Sequence, residues 1–213
     1  MKRRPRLPTE KRADVASPSL PDAIKLPPII LASASQRRAE LLRELVPDFE
    51  VLPGHVEEFQ PEHLSPAEAC MLNAYHKARV LAKKFPDSLV LGADTEVCLG
   101  RRVFGKPKNR AEATEMLSDL QGKEHQVITG VCLVHLRRHR QRTFLETTCV
   151  TFKPLGADEI TDYLDRINPL DKAGAYAIQE HGEMIVAQTA GSYSSVVGLP
   201  LERLRDELNL FAL

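Results

Sequence analysis

Two serines and two arginines near the start of the chain have the side chains and the spacing of an anion site. They are found where an apolar run typical of a buried strand gives way to a helical pattern. The four residues are Ser33, Ser35, Arg37 and Arg38. At such a junction the hydroxyls, the unpaired amides of the first helical turn and the helix dipole all favour a negative charge. Because each guanidinium can bind phosphate oxygens in a bidentate way, the segment indicates a phosphate site, although a surface helix with solvated arginines fits the same pattern.

A carboxylate, Asp94, follows the apolar residues 89–93. A charged residue that closes an apolar strand usually lies at the carboxyl edge of a sheet, where open α/β sheets bind their ligands. Asp94 and Thr95 could instead form a hairpin turn, because Asp favours turns. If the strand continues, Glu96 shares a face with Asp94, where it could act on Asp94 electrostatically or join a metal site.

The elements that must position these residues alternate along the chain. Strands are predicted at residues 30–32, 49–52, 88–99, 126–135, 144–152 and 184–187. Helices are predicted at residues 39–45, 66–84, 110–120 and 157–165. The long second helix has the clearest start, since Ser65, Pro66 and Glu68 match an N-cap, a first-turn proline and a capping box. This order predicts an α/β fold with a mixed, twisted sheet flanked by helices.

Composition excludes several classes of protein. The 213 residues, 43% of them hydrophobic, suffice for one large domain or two small ones. Residues 1–25 hold seven basic and three acidic side chains, so the rest of this formally neutral chain is mildly acidic. A mildly acidic domain is a poor partner for long nucleic acid. Since no apolar run approaches the roughly 18 residues of a membrane span, no membrane partner is expected.

The first 27 residues are rich in proline and charge and lack periodicity, so we expect a flexible basic tail before one domain at residues 28–213. The tail has no apolar segment for a secretion signal, and its acidic residues argue against a transit peptide. Four scattered cysteines without a C-x-x-C pair indicate buried thiols in a reducing compartment rather than a zinc site or disulfides. The expected location is the cytoplasm.

Five motifs in one order give the chain a family resemblance. They are the residues 33–38, 89–97, 104–107, 171–179 and 191–201. At these positions the chain resembles the Maf family of nucleotide pyrophosphatases, over about residues 29–204. The resemblance implies cleavage of a nucleoside triphosphate to the monophosphate and pyrophosphate. It also implies an elongated, two-lobed single domain of the Maf/ITPase-like kind with a central cleft, and it is compatible with a homodimer.

The resemblance also assigns roles to individual residues. Asp94 matches the catalytic acid/base residue, and Glu58 matches an acidic partner that would hold a divalent metal (Mg2+, Mn2+ or Co2+) together with Asp94. Lys77 and Lys106 join the serines and arginines as phosphate-binding residues. Read without the resemblance, Glu58 and its neighbour Glu57 are solvated loop residues, and Lys106 is a turn residue. Likewise, Asp171 and Lys172 read as a surface ion pair, and Tyr176 as a packing residue.

Arg38, Thr95 and Gln179 match the branch of the family that hydrolyses dTTP and UTP, since a glutamine amide can pair with the O4 and N3–H edge of thymine or uracil. Gln36, Glu96 and Glu180 depart from the family pattern, and Glu180 puts the finer substrate preference in doubt. Two alternatives stay open. One is a nucleotide-binding regulator of cell division and septum formation with little turnover, and the other is an enzyme for other or modified nucleotides.

Overall fold

The computed structural model describes residues 26–54, 56, 58–59 and 63–212. The predicted tail therefore lies almost wholly outside the described residues, as does Glu57. The strands are β1 (Ile29–Leu31), β2 (Glu50–Val51), β3 (Leu89–Leu99), β4 (Arg102–Phe104), β5 (Glu124–His135), β6 (Arg140–Phe152) and β7 (Val186–Ala190). The helices are α1 (Gln36–Leu45), α2 (Pro66–Lys84), α3 (Arg110–Leu120), α4 (Ala157–Arg166), α5 (Gly182–Ile185), α6 (Tyr193–Val197) and α7 (Leu201–Asn209). Two 3-10 turns lie at Pro169–Asp171 and Ala173–Ala175.

The mixed sheet flanked by helices is confirmed. Within the described residues its strand order is β2-β1-β3-β5-β6-β7, with β4 beside one end of β3. β1 is parallel to β2 and to β3, whereas the other pairings are antiparallel. One predicted strand was partly wrong, because residues 184 and 185 belong to α5 and the strand begins at Val186. No described helix has both the length and the apolar character that crossing a membrane requires.

The sheet opens beside the middle of β3. β1 pairs with β3 only as far as Leu91, and β4 pairs with it only from Val97 onward. Between these points, residues 92–96 of β3 have β5 on one edge and no strand on the other edge among the described residues. The chain leaves β1 towards Ser33 and leaves β4 towards Lys106, so the sheet itself brings two predicted site segments to this opening.

Two apolar clusters lie towards opposite ends of the long strands. One packs α1 and α7 on the sheet and includes Leu42, Leu91 and Leu204. The other packs α3 and α4 on the sheet and includes Leu117 and Phe152. Burial of apolar side chains in each cluster stabilises its own half of the domain, since each buried leucine or phenylalanine contributes roughly 1.5–3 kcal/mol.

Helix α2 lies very close to the sheet because two strand positions have no side chain. A Cβ atom at Gly92 would lie 2.2 Å from the carbonyl oxygen of Ala74, and one at Gly130 would lie 2.9 Å from that of Cys70. The predicted start of α2 is confirmed, with Ser65 and Glu68 forming the capping box. The helix therefore begins at a defined residue and rests with its backbone against β3 and β5.

Candidate active site

Lys77 joins two of the predicted carboxylates at the opening of the sheet. Its ammonium nitrogen lies 2.6 Å from Oδ1 of Asp94 and 2.7 Å from Oε1 of Glu58. Asp94 is buried in the middle of β3, so the expectation that it ends a strand was wrong, and so was the alternative of a hairpin turn. Asp94 nevertheless faces the cavity, because β1 and β4 leave that stretch of β3 uncovered.

One face of α2 supplies three contacts to Asp94. The Cys70 thiol lies 3.2 Å from the backbone oxygen of Asp94, and Asn73 Nδ2 donates to its Oδ2 at 3.2 Å. Lys77 binds the other carboxylate oxygen. Residues spaced three and four apart share a helix face. One helix can therefore contact both the backbone oxygen and the carboxylate oxygens of Asp94. Sequence reasoning missed Cys70 and Asn73, although their helical spacing from Lys77 was a usable signal.

Glu58 lies at the rim of the cavity, with about half of its side chain exposed. Partial burial acts to raise the pKa of its carboxyl group. The hydrogen bond and the charge of Lys77 outweigh that effect, so the pKa of Glu58 lies below its usual value. Glu58 is therefore ionised at neutral pH and presents a negative charge beside Asp94.

Glu96 is a buried carboxylate without a described partner. It is 5% exposed, and neither of its two carboxylate oxygens has a hydrogen-bond partner among the described residues. Burial, followed by the charges of Asp94 and Glu58, raises its pKa to about 7. Because an unpaired buried charge is costly, such a group destabilises the fold and is characteristic of a functional site.

We expect the Glu96→Gln variant to be more stable than the wild type at pH 8, by about 3 kcal/mol. The pKa of about 7 in the folded chain exceeds the ordinary 4.5, so the folded state binds the proton more tightly than the unfolded chain does. Wild-type stability should therefore fall as the pH rises from about 4.5 to about 7, with the full penalty above pH 7. Urea denaturation with a chelator present, at pH 4 and pH 8, measures this difference. An equal stability gain at both values would contradict it.

Arg38 connects three of the sequence motifs. Its Nε donates to the Gly198 carbonyl oxygen at 2.9 Å, and its Nη2 donates to Oγ1 of Thr95 at 2.9 Å. A longer contact of 3.4 Å reaches Oγ of Ser33. The structure thus brings Arg38 and Thr95 into contact, and Gln179 is an exposed residue that lines the same cavity.

The two serines shape the start of α1. Oγ of Ser35 accepts from the Arg38 amide at 3.4 Å as the N-cap, and the Ser35 amide donates to Oγ of Ser33 at 3.1 Å. Both serines line the cavity. Their hydroxyls are engaged in fixing the turn before α1, so direct contact of either hydroxyl with phosphate stays a prediction.

Lys172 is a further cation of the site, and its interpretation as half of a surface ion pair was wrong. It is 4% exposed, and its ammonium binds the Asn168 carbonyl at 2.8 Å, Asp171 at 2.9 Å and Glu180 at 3.3 Å. Asp171 also binds Arg37 at 2.9 Å. Burial acts to raise the pKa of Asp171, but the hydrogen bonds from Lys172 and Arg37 outweigh it and lower the pKa.

Lys106, in the loop after β4, is the last of the cations that line the cavity. It is exposed and lines the cavity, and the carbonyl oxygen of the preceding Gly105 accepts from the Gly174 amide at 3.0 Å. Gly174 has a φ of 68°, which a side chain would strain. The cations that line the cavity are Arg37, Arg38, Lys77, Lys106 and Lys172. Five cations around a cavity with four carboxylates, Glu58, Asp94, Glu96 and Asp171, can bind a polyanion and activate a water molecule.

The chain is similar to a known protein family and to several curated proteins. A family profile described as Maf-like protein matches residues 28–211. The dTTP/UTP pyrophosphatase of Syntrophus aciditrophicus is 45% identical over 84% of this chain and 88% of that protein. The protein of the same name from Bacillus cytotoxicus is 48% identical over 85% of this chain and 94% of its own length.

A third relative, the dTTP/UTP pyrophosphatase of Carboxydothermus hydrogenoformans, is 44% identical over 84% of this chain and 96% of that protein. The structure of the Staphylococcus aureus Ham1 protein is similar with a TM-score of 0.49 and 19% identity, over 84% of this chain and 97% of that chain. With the family profile matching nearly all the described residues, the chain belongs to the Maf-like protein family.

Proposed function

We propose that this protein hydrolyses dTTP and UTP to the monophosphate and pyrophosphate. The observation that carries the proposal is the buried Asp94, bound to Lys77 and facing a cavity ringed by cations. The curated relatives at about 45% identity are named for that activity, which supports the choice of substrates. A cavity with a carboxylate at its centre is poorly suited to holding a triphosphate without turnover.

The cations supply most of the expected catalysis. Water must attack a polyanion, so the phosphate charge has to be neutralised before a nucleophile can approach. Arg37, Lys106 and Lys172 surround the position where a triphosphate would enter, and each belongs to a different segment. Asp94 accepts the proton of the attacking water, with Lys77 and Asn73 fixing the orientation of its carboxylate.

A divalent cation would be held by Asp94 and Glu58. Their carboxylates lie close enough for both to bind one positive group, the Lys77 ammonium, and this shared negative charge supports the choice of these two residues. Among the described residues no group of three or more His, Cys, Asp or Glu side chains is arranged to hold an ion. Two carboxylates completed by substrate phosphates are a usual site for Mg2+, and Mn2+ or Co2+ could replace it. When bound, the metal lowers the pKa of water and neutralises phosphate charge.

Base selection is proposed for the apolar part of the cavity wall. Apolar side chains there suit a base, namely Val97, Phe104, Val127, Tyr176 and Ile178. The exposed amide of Gln179 would pair with the O4 and N3–H edge of uracil or thymine. The Arg38–Thr95 pair would shape the wall beside it. Cytosine presents the opposite pattern at these atoms, which leaves a polar group unpaired at a cost of roughly 1–3 kcal/mol.

A screen of nucleoside triphosphates with Mg2+, Mn2+ or Co2+ tests the proposal directly. We expect monophosphate and pyrophosphate as products, since the proposal has the cations of the cavity bind the phosphates on both sides of the α–β bridge. For dTTP and UTP, kcat/KM should exceed that for CTP and purine triphosphates by at least roughly tenfold, or about 1.4 kcal/mol. The products and their rates can be followed by chromatography.

Three outcomes would contradict this proposal in different ways. Release of phosphate and a diphosphate would show cleavage at the γ position. Equal rates with CTP or GTP would remove the assignment to the pyrimidine branch and direct attention to Glu180, beside Gln179. Tight nucleotide binding without pyrophosphate release would favour a nucleotide-binding regulator.

A further inference from the structure

Asn73 contacts two separate parts of the candidate site from the buried face of α2. It is 1% exposed, and its Oδ1 accepts from the backbone amide of Phe59 at 2.8 Å. Its Nδ2 donates to the carbonyl oxygen of Phe59 at 3.0 Å and to Oδ2 of Asp94 at 3.2 Å. The side chain therefore uses its oxygen and both of its N–H groups.

The orientation of this amide follows from chemistry. A backbone N–H can only donate, so the oxygen of Asn73 must face the amide of Phe59. The nitrogen is then left to face the carbonyl of Phe59 and the carboxylate of Asp94, both of which accept. The reversed orientation would bring two donors together at the Phe59 amide and would place the Asn73 oxygen against two other acceptor oxygens, so only one orientation of the amide is satisfied.

Phe59 directly follows Glu58, so the Asn73 amide holds the backbone beside the acidic residue at the rim. The described contacts of this segment with α2 include the edge-on packing of the Phe59 ring on His76, with ring centroids 5.2 Å apart, and the ion pair of Glu58 with Lys77. Because the Glu58 side chain is half exposed, its position depends on how the adjacent backbone is held.

We propose that Asn73 is a positioning residue that couples the Glu58 segment to Asp94, so that both carboxylates meet Lys77 in one arrangement. This inference deepens the proposed function and rests on it. The described hydrogen bonds of the Asn73 side chain go to Phe59 and Asp94, so Asn73 acts through the groups it holds. Its removal should affect the chemical step more than the binding of nucleotide.

The Asn73→Leu variant tests this role because leucine keeps the number and the branching of the side-chain heavy atoms and removes all three hydrogen bonds. We expect kcat to fall by about 10²-fold, since displacement of catalytic groups by about 1 Å has effects of that size. KM should change by less than about threefold, because Arg37, Lys106 and Lys172 keep their contacts. The matched control is Tyr75→Phe on the same helix, which removes the hydrogen bond from Arg79 and should leave kcat unchanged.

A double-mutant cycle with Glu58→Gln separates positioning from general loss of stability. If Asn73 acts through Glu58, the double variant should lose at least about tenfold less kcat than the product of the two single losses. Losses that multiply would overturn the coupling. So would a lower melting temperature in Asn73→Leu with kcat unchanged.

Hydrogen exchange of the Phe59 amide gives a readout that needs no turnover. The Asn73→Leu variant should exchange this amide at least about tenfold faster than the wild type and Tyr75→Phe, because its acceptor is lost. Unchanged exchange would overturn the proposal that Asn73 holds the Glu58 segment, whether or not the enzyme turns over. A wild type that releases no pyrophosphate would refute the proposed function, and the exchange result would still decide whether Asn73 holds this segment.

Discussion

The Asp94→Asn variant is expected to lose about 10²–10⁴-fold in kcat while it keeps its fold and most of its affinity for nucleotide. Asparagine preserves the shape of the side chain but removes its charge and its basicity. The structure adds a second reason. Lys77 and Asn73 both donate to the carboxylate, and an asparagine offers only one acceptor oxygen to these two donors. One of the two positioning contacts must therefore be lost.

Three measurements together identify the cause. Pyrophosphate release in a single turnover reports the chemical step, calorimetry reports nucleotide affinity, and thermal unfolding reports the fold. The control is Asp119→Asn, which removes an exposed carboxylate that pairs with Arg102 away from the cavity. Activity of Asp94→Asn within a few-fold of the wild type would exclude Asp94 as base or metal ligand.

The Lys77→Met variant should lose both activity and stability, with the free energy of unfolding falling by about 3–5 kcal/mol at neutral pH. Methionine fills similar space but leaves Asp94 and Glu58 without their shared cation. Most of this loss of stability should come from Asp94. Its side chain is only 9% exposed, and its charge has no ionic partner once Lys77 is replaced. The nearby charge of Glu96 adds repulsion in the same region.

The loss should depend on pH in a defined direction. Since Lys77 lowers the pKa of Glu58, that part of the stabilisation is present above the ordinary pKa of 4.5 and is lost as the pH falls through the lowered value. Urea denaturation at pH 7.5 and pH 3.5 should show a smaller difference at the lower pH. The control Lys123→Met removes an exposed ammonium. Its free energy of unfolding should stay within about 0.5 kcal/mol of the wild-type value at both pH values.

Local patterns in the sequence were enough for most of the longer elements, but they missed β4, α5 and α6. The capping box at Ser65 and the apolar run before Asp94 set the bounds of α2 and the start of β3 to within a residue or so. The position of Asp94 was misjudged for a physical reason. A strand pattern reports which side chains are buried, but not which neighbouring strands stop short and leave an interior residue open to a cavity.

Contacts between segments that are distant in the chain could not be predicted from the sequence. Lys172 stands next to an acidic residue, which is the ordinary pattern of a solvated pair. It is buried because Asn168, Asp171 and Glu180 surround its ammonium in the folded chain. Asn73 looked like one polar residue on a long helix. Its role depends on Phe59 and Asp94, which lie 14 residues before it and 21 residues after it.

The close approach of α2 to the sheet has a consequence for anyone who wishes to transplant this site. Cys70, Asn73 and Lys77 reach Asp94 only because Gly92 and Gly130 let the helix backbone rest on the strands. A scaffold that carried every charged residue but kept ordinary side chains at those two positions would hold its lysine too far from its aspartate. The spacing between the two layers is therefore part of the catalytic specification, and it is encoded by two residues that have no functional group at all.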